Sequence, residues 1–494
     1  MSELYTPEQV AGLDRAAMDA GIPGETLMER AGRRLWQEIR RRWPGVQRLA
    51  VVSGGGNNAG DGYVVARLAR RAGVAAEVLY LVAPERLGGD AATNARRYHD
   101  AGGAARPFEA EALASADVIV DAVLGTGLDR PVEGRFADAV AAINAAAAPV
   151  LAVDIPSGIH GRTGAEMGTA VRAQATATFV GRKSGLVTGR GPACTGEVVF
   201  DDLGAAGATG GIETPYARQV APEAVRALLP PRPRDAHKGR YGHVLVVGGD
   251  RGMAGAVCLA AAAAGRCGAG LVSAATRPEH VPAVVGTRPE VMAHGVTDAE
   301  GLAPLLERAS VLAIGPGLGR DAWGQALWAA CRDWSGPKVV DADGLSLLAA
   351  EPRPVADAIL TPHPGEAARL LGEGWDTGAI GADRFAAARA LADAWRAAVV
   401  LKGAGSVVDD GAARWVAGAG TPGMASGGMG DLLTGTVAGL RAQYPDADPG
   451  RLAAVAAYAH GRAAERAAAA LGGERGLLAA DLADHLPAVL EAGA

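Results

Sequence analysis

The chain has 494 residues, a net charge of −6 and four cysteines, and these values exclude several classes of protein. There is no basic excess of the kind that marks a nucleic-acid-binding surface. No two cysteines have the spacing of a zinc site or a redox pair. The 71 glycines follow no triplet period, which excludes a collagen-like chain. At roughly 100–200 residues per domain, the length predicts two or three domains.

The N-terminal segment lacks the apolar core of a signal peptide. No segment approaches the ~18 consecutive apolar residues that a membrane-spanning helix requires. The low cysteine content fits a reducing compartment. We therefore expect a cytoplasmic protein without membrane or nucleic-acid partners.

In the first half, the segment 3–42 is predicted to be helical. Thr6 is placed as the first N-cap, with Pro7 at the first helical position, and a second helix covers Glu25–Arg42. A further helix is predicted from about Tyr63 to Ala72. Strands are predicted at Arg48–Ser53, Ala76–Val82, Val118–Val123 and Val150–Asp154. This alternation predicts an α/β fold with a parallel sheet and helices on both faces.

The strand–helix pattern stops over residues 203–235, which are rich in glycine and proline. We place a domain boundary near residue 220, which gives domains 1–220 and 221–494. Five basic or histidine residues follow this boundary, and they indicate either a solvated linker or a surface that attracts phosphate. On charge alone the linker is favoured. The five residues are Arg232, Arg234, His237, Lys238 and Arg240.

The second half has the pattern of another α/β domain. A buried Ala-rich helix is predicted over Ala256–Ala264, and Gly403-Ala404-Gly405 form a hairpin-like turn. The predicted strands are His243–Gly248, Leu271–Ala275, Val311–Ile314, Lys338–Asp341, Ala358–Leu360, Ala398–Lys402 and Ser406–Asp409.

The loop 421–431, with the sequence TPGMASGGMGD, precedes a predicted helix. Successive backbone N–H groups at a helix N-terminus can bind an anion. Asp431 lies in the first turn of that helix, where it can take a proton from a substrate hydroxyl while the amides hold a phosphoryl group. The alternative is a tight turn in which Asp431 is only an N-cap.

Four further motifs follow predicted strands, at the carboxyl edge where parallel sheets bind ligands. Each is weak alone, but their order is specific. They are KGRYGHVLVVGGD from Lys238, GPGLG from Gly315, LTPHPGE from Leu360 and VLKGAGS from Val400.

With these motifs, residues 235–494 resemble the ADP-dependent NAD(P)H-hydrate dehydratases of the ribokinase-like superfamily. The resemblance implies that ADP, or ATP in eukaryotic relatives, phosphorylates the hydroxyl of a hydrated nicotinamide ring. Phosphate is then eliminated and NAD(P)H is restored. Mg²⁺ is expected with the phosphates, although no cluster of acidic ligands is obvious. The family often has Thr at the position of Met429 and an aromatic residue near Met253.

The same resemblance implies roles for individual residues. Asp431 matches the acid/base position. His363 alone would be read as a structural loop histidine, but within TPHPGE it matches a hydrate-binding position. The remaining matches are Ala256 and Gly317 for the hydrate; Gly427, Gly428, Met429 and Gly430 for the anion hole; and Lys402, Gly403, Ala404, Gly405, Ser406 and Gly430 for the nucleotide.

The first half carries its own Gly/Asn-rich loop, SGGGNNAGDG, between a strand and a helix. It matches neither the P-loop nor the GxGxxG pattern. Asp121 and Asp154 each end a predicted strand. The oxygens of Asn58, Asp121 and Ser157 suit a hard cation. The alternative is that each aspartate caps a following helix, and for both residues the two interpretations are about equally supported.

Residues 3–215 resemble the NAD(P)H-hydrate epimerases, which implies a Rossmann-like α/β/α sandwich. Ala59 replaces a glycine of the family motif. The resemblance implies that a potassium ion is held by Asn58, Asp121 and Ser157. Asp154 is the first candidate acid/base and Asp61 the second. The implied hydrate-binding residues are Asn57, Asn58, Ala59, Gly60, Asp61, Gly125, Thr126, Gly127, Leu128, Asp129, Arg130, Pro131 and Asp154.

Together the two resemblances imply a bifunctional enzyme whose partners are NADHX, NADPHX and ADP, and which we expect to form a homo-oligomer. An epimerase on the same chain would supply the epimer that the dehydratase accepts. Two alternatives remain: a ribokinase-like vitamin or sugar kinase, and a first half that only binds nucleotides. A kinase would not need the fused first half, and retention of Asp61, Asp121 and Asp154 argues against a purely binding role.

Overall fold

The computed structural model describes residues 1–493 and divides the chain into two compact units. One comprises Glu3–Ala217, and the other comprises Arg218–Ala494 with Met1–Ser2. This division lies close to the boundary that the composition predicts near residue 220.

The first unit is built on a seven-stranded sheet in the order β4-β3-β2-β5-β6-β7-β8, in which every pairing is parallel. Buried apolar clusters cover both faces of this sheet. The seven strands are β2 Arg48–Ser53, β3 Ala75–Tyr80, β4 Ala105–Pro107, β5 Val118–Ala122, β6 Val150–Val153, β7 Ala175–Phe179 and β8 Glu197–Asp201; a short strand, β1 Ser2–Leu4, precedes them in the chain and is not part of this sheet. The helices are α1 Pro7–Asp19, α2 Gly24–Arg42, α3 Asn57–Arg71, α4 Gly89–Asp100, α5 Gly134–Ala145, α6 Gly191–Cys194 and α7 Ala206–Thr209.

The predicted α/β fold with a parallel sheet is confirmed, and Thr6 is the N-cap of α1 within a capping box. Two local predictions were wrong: the segment predicted to be helical from residue 3 begins with the strand Ser2–Leu4, and α3 begins at Asn57 rather than at about Tyr63. Strands β4, β7 and β8 were not predicted. Helix α3 extends into the glycine-rich loop because Gly60 packs closely on another element: a Cβ there would lie 2.4 Å from Met28 Sδ. Tertiary packing thus outweighs the low helix propensity of glycine.

The second unit is built on a larger sheet, whose strands from β9 onward run in the order β9-β18-β17-β16-β15-β14-β13-β10-β11-β12. The pairings from β12 to β16 are parallel, whereas β16–β17 and β17–β18 are antiparallel. The strands are β9 Ala217–Gln219, β10 His243–Val247, β11 Leu271–Thr276, β12 Met292–Gly295, β13 Val311–Ile314, β14 Lys338–Val340, β15 Ala358–Leu360, β16 Ala398–Leu401, β17 Val407–Asp409 and β18 Arg414–Val416.

The helices of this unit complete the layers around the sheet. Helix α9 is buried at Val257 and from Ala260 to Ala264, which agrees with the buried helix predicted for Ala256–Ala264, and the antiparallel β16–β17 pair confirms the hairpin at 403–405. The helices are α8 Pro222–Leu228, α9 Ala254–Arg266, α10 Val281–Thr287, α11 Ala299–Leu306, α12 Ala322–Asp333, α13 Ala342–Ala350, α14 Pro364–Leu371, α15 Thr377–Ala382, α16 Arg384–Trp395, α17 Met429–Gln443, α18 Pro449–Leu471 and α19 Ala479–Gly493.

Arg232, within the basic segment, lies against the second unit. It donates hydrogen bonds to Gly268 O at 2.6 Å and to Gln443 Oε1 at 2.5 Å. Its guanidinium also lies 3.8 Å from the centre of the Tyr241 ring. This part of the segment is therefore fixed to the unit rather than being an unattached linker.

Candidate active sites

In the second unit, glycine loops meet at the carboxyl edge of the sheet. A Cβ on Gly248 would lie 2.1 Å from Pro316 O, and one on Gly315 would lie 1.8 Å from Asp341 O. No real side chain tolerates contacts of that length. The glycines after β10 and β13 are therefore required for these loops to approach each other beside the end of β14.

Helix α17 begins at Met429, and its N-cap is Gly428 in the left-handed conformation, with φ of +86°. No side chain caps this helix end, so its first N–H groups are available to an anion. The interpretation of Asp431 as an N-cap is therefore wrong. Its carboxylate lies in the first turn without serving as a cap.

Asp341, at the end of β14, is almost fully buried and is the anchor of this site. Its Oδ1 accepts a 2.7 Å hydrogen bond from Lys402 Nζ, and its Oδ2 accepts one of 2.7 Å from Thr434 Oγ1 of α17. Lys402 Nζ also lies 3.7 Å from Glu366 Oε2. Sequence reasoning missed Asp341, Thr434 and Glu366 as site residues. For Asp341, the sequence did offer one indication of a site residue, namely a carboxylate at the end of an apolar predicted strand.

Asp431 lines a cleft of about 370 Å³ that also contains Ala256, Gly317 and Glu366. Burial first, and then the negative charge of Asp341, raise the pKa of Asp431 to about 7; Asp343 adds a smaller effect in the same direction, and Lys402 opposes them. A carboxyl that titrates near neutrality suits proton transfer. The structure therefore brings Ala256, Gly317 and Asp431 together as the sequence predicts.

His363 has a structural task in this unit. It is the N-cap of α14, where its Nδ1 accepts hydrogen bonds from the backbone N–H groups of Gly365 at 3.0 Å and Glu366 at 3.4 Å. Its ring is half exposed, and its Nε2 lies 3.4 Å from Glu366 Oε1. The structural interpretation of His363 is thus correct for Nδ1, which caps the helix. Its Nε2 faces Glu366, a residue that lines the cleft.

The predicted nucleotide-binding segment 402–406 begins beside the loop of His363. Lys402 N donates a 2.9 Å hydrogen bond to Pro362 O, and Ser406 Oγ donates one of 3.1 Å to Gly403 O. A Cβ on Gly430 would lie 3.3 Å from Lys402 Nζ. The start of this segment and the first turn of α17 therefore adjoin.

In the first unit, the three predicted cation ligands gather around Leu124. Asn58 Nδ2 donates to Leu124 O at 3.4 Å and to Val153 O at 2.8 Å. Ser157 Oγ accepts from Leu124 N at 2.8 Å and lies 2.6 Å from Asp121 Oδ1. Burial raises the pKa of Asp121 to about 6, against the effect of the Ser157 hydrogen bonds. Asp121 is engaged by Ser157 and caps no helix, so the capping interpretation is wrong.

Asp154 follows β6 with φ of +66°, a conformation that a non-glycine residue rarely adopts. Its Oδ1 accepts a hydrogen bond of 3.1 Å from Thr178 Oγ1 and forms an ion pair with Lys183 Nζ. The capping interpretation is wrong here also. Lys183 was missed from the sequence, because a single lysine in a loop gives no signal of burial until β7 is recognised.

The Gly/Asn loop and the loop after β5 lie side by side in the first unit. A Cβ on Gly125 would lie 2.6 Å from Asn58 Oδ1, and one on Gly54 would lie 1.8 Å from Val123 O. Asp61 is buried in α3. The predicted hydrate-binding segments 57–61 and 125–131 thus adjoin at Asn58 and Gly125.

Two classes of feature are missing from the described residues. Residues 1–493 hold no cluster of three or more His, Cys, Asp or Glu side chains arranged to bind a metal ion. Within the same range, no helix combines the length and the apolar character needed to cross a membrane.

Two family models match the chain. One, described as NAD(P)H-hydrate dehydratase, matches residues 244–488. The other, described as YjeF-related protein N-terminus, matches residues 24–185. The two models thus fall in different compact units.

Curated relatives match along nearly the whole chain. The bifunctional NAD(P)H-hydrate repair enzyme Nnr of Coxiella burnetii is 46% identical, over 98% of this chain and 99% of its own. That of Escherichia coli is 40% identical, over 98% and 93%. An ADP/ATP-dependent NAD(P)H-hydrate dehydratase from Bacillus subtilis, crystallised with ATP and Mg²⁺, is 30% identical with a TM-score of 0.51, over 56% of this chain and 99% of its own. The chain therefore belongs to the family of bifunctional NAD(P)H-hydrate repair enzymes.

Proposed function

We propose that the chain restores hydrated NADH and NADPH in two steps. The unit Glu3–Ala217 interconverts the R and S hydrates, and the unit Arg218–Ala494 dehydrates the S hydrate at the expense of ADP. The observation that carries the second step is the partly buried Asp431, with a pKa of about 7, in the first turn of α17, whose N-terminus no side chain caps.

In the dehydratase unit, Asp431 accepts the proton of the hydrate hydroxyl as that oxygen attacks the terminal phosphoryl group of the nucleotide. The N–H groups of Gly427, Gly428, Met429 and Gly430 hold the negative charge that develops on the phosphoryl oxygens. Phosphate is a better leaving group than hydroxide, so its departure gives NAD(P)H. Ala256 and Gly317, in the same cleft, contact the hydrate, and we assign His363 Nε2 to the same task.

The segment Lys402–Ser406 and Gly430 bind the nucleotide. Lys402 offers a positive charge next to the first turn of α17. Because the described residues hold no group of three or more His, Cys, Asp or Glu side chains arranged to bind a metal ion, Mg²⁺ would be bound mainly by phosphate oxygens and water, as is usual for this ion. When bound there, it would neutralise the phosphate charge.

In the epimerase unit, the adjoining segments 57–61 and 125–131 bind the hydrate, with Asp154 and Asp61 as acid/base residues. A potassium ion fits near Asn58, Asp121 and Ser157. The supporting observation is that Asp121 is buried and forms no ion pair within residues 1–493. A bound monovalent cation would compensate its charge.

The test is to incubate the purified chain with the S hydrate of NADH, ADP and Mg²⁺. We expect the absorbance of reduced nicotinamide to reappear, with one AMP and one phosphate released per NADH. A plain kinase would give AMP and an accumulating phosphorylated hydrate without NADH, and that result would overturn the proposal. Omission of ADP is the control.

A further inference from the structure

Lys183 is the central cation of a buried cluster in the first unit. Its side chain is 2% exposed. The ammonium forms an ion pair with Asp154 Oδ1, donates to Phe179 O at 3.0 Å and lies 3.3 Å from Thr178 Oγ1. A buried lysine is costly unless it is paired and hydrogen-bonded. These contacts therefore fix the position of the Asp154 carboxylate beside the Lys183 ammonium.

Two more carboxyl groups interact electrostatically with the Lys183 ammonium. Asp14 of α1 and Asp61 of α3 interact electrostatically with both Lys183 and Asp154. Three ionised carboxylates around one ammonium would leave a net charge of about −2 in a buried region, which is unfavourable. At least one of the carboxyl groups is expected to keep its proton.

Asp61 is the best candidate to keep it. Its side chain is buried, and no hydrogen bond or ion pair joins its carboxyl to another described residue. Burial first, and then the charges of Asp154 and Asp14, raise its pKa well above the usual value, against the opposing effect of Lys183. Burial also raises the pKa of Asp14, but Asp61 alone belongs to the Gly/Asn loop segment that adjoins Gly125.

We propose that Lys183 is a positioning residue of the epimerase site: it holds Asp154 as the fixed carboxylate base, while the unpaired Asp61 carries the proton of the acid. This assignment rests on the proposed epimerase function and separates two roles that the sequence leaves open.

The acid/base pair accounts for inversion with balanced bonds and charges. In the hydrate, the carbon to be inverted bears the hydroxyl and is bonded to the ring nitrogen, because water adds to an enamine at that carbon. Asp61 protonates the hydroxyl, the C–O bond breaks and water leaves with the electron pair, while the nitrogen lone pair forms a C=N bond. Water then adds to the opposite face and gives its proton to Asp154. Reaction of the opposite epimer, or exchange with solvent, restores the starting protonation.

The experiment measures conversion of the R hydrate, with the dehydratase of the same chain and ADP as the coupled step. The variants are Lys183→Met, Lys183→Arg, Asp61→Asn and Asp14→Asn. The matched control is Arg182→Met, which removes the neighbouring cation that stacks on Phe200. Dehydration of the S hydrate by each variant verifies that the chain is folded in its second unit, and circular dichroism verifies the first.

We expect Lys183→Met to lower kcat for epimerisation at least about 10-fold with little change in KM, because Asp154 is no longer held in place. Lys183→Arg should recover much of kcat, and Arg182→Met should leave it unchanged. Asp61→Asn should lose about 100-fold or more, and Asp14→Asn far less.

A folded Lys183→Met protein with an unchanged kcat would overturn the assignment, as would a larger loss for Asp14→Asn than for Asp61→Asn. Failure of the wild-type chain to epimerise the R hydrate at all would instead contradict the proposed epimerase function. If Lys183→Met does not fold, the comparison of Asp61→Asn with Asp14→Asn decides the outcome.

Discussion

Asp341 Oδ2 accepts a 2.7 Å hydrogen bond from Thr434 Oγ1, which ties the end of β14 to the second turn of α17. The other oxygen of Asp341 is held by Lys402. Because Asp431 lies one turn before Thr434 on the same helix, these bonds set where Asp431 stands relative to the strand ends.

Replacing Thr434 with valine should therefore lower both the stability of the fold and the rate of dehydration. Loss of a hydrogen bond to a buried carboxylate is expected to cost about 1–3 kcal/mol of the free energy of unfolding, and the dehydratase rate should fall because α17 is no longer held at Asp341. Thr436→Val is the matched control, since the buried Thr436 hydroxyl donates to Leu432 O of its own helix at 2.8 Å rather than to Asp341. Chemical denaturation and dehydratase assays measure both. Equal losses of rate in the two variants would contradict this role.

The dehydratase rate should decline as the pH falls below about 7. Asp431 acts as a base only when ionised, and its pKa is raised to about 7. Asp343 contributes to that rise, so Asp343→Asn should move the acidic limb to lower pH. The pH profile of S-hydrate dehydration measures it. An acidic limb that moves upward or stays in place in Asp343→Asn would show that another group controls the rate.

Asp431→Asn should stabilise the fold while it abolishes dehydration. Because the folded-state pKa of Asp431 lies above that of the unfolded chain, about 3.9, this residue makes folding less favourable as the pH rises from about 4 through 7. An asparagine at this position cannot ionise, so the variant does not lose this stability at high pH. Its Tm should exceed that of the wild type by a few degrees at pH 8 and by little at pH 4. A thermal-unfolding series across pH checks this. A Tm advantage that is largest at acid pH would refute it.

Gly428→Ala should damage the anion-binding turn. The φ of +86° disfavours a side chain, and the new Cβ would lie 2.5 Å from Leu259 Cδ1. We expect at least about a 10-fold loss of dehydratase activity, since displaced amides no longer point at the phosphoryl group. The matched control is Gly472→Ala, at the end of α18, where φ is +75° but nothing lies within 4 Å. Equal activities of the two variants would indicate that the turn does not bind the phosphoryl group.

Site motifs whose residues are adjacent in the chain could be predicted from the sequence. The loop at 426–431 carries its own signal, because glycines at a helix start and an adjacent carboxylate are neighbours in the chain. Asp341, Thr434 and Lys402 are distant in sequence, and only the fold brings their side chains together. Neither Asp341 nor Thr434 was therefore found before the structure.

Lys183 and Asp14 were missed for a related reason. Asp14 lies on an amphipathic helix and looks like part of its solvated face, yet its carboxyl group interacts electrostatically with Lys183 and Asp154. Strand β7, which leads to Lys183, has Thr176 and Thr178 at alternate positions, and both are buried. That alternation is typical of a half-exposed strand rather than a central one, so the sequence concealed the strand and the residue after it.

The most direct test of a bifunctional repair enzyme uses a mixture of the R and S hydrates of NADH with ADP and Mg²⁺, and measures how much of each remains by chiral chromatography. We expect the wild-type chain to convert both epimers to NADH. In conditions where spontaneous epimerisation is slow, Asp154→Asn should consume the S form and leave the R form, and Asp431→Asn should form no NADH. Persistence of the R hydrate with the wild-type chain, or its unimpaired consumption by Asp154→Asn, would contradict the account.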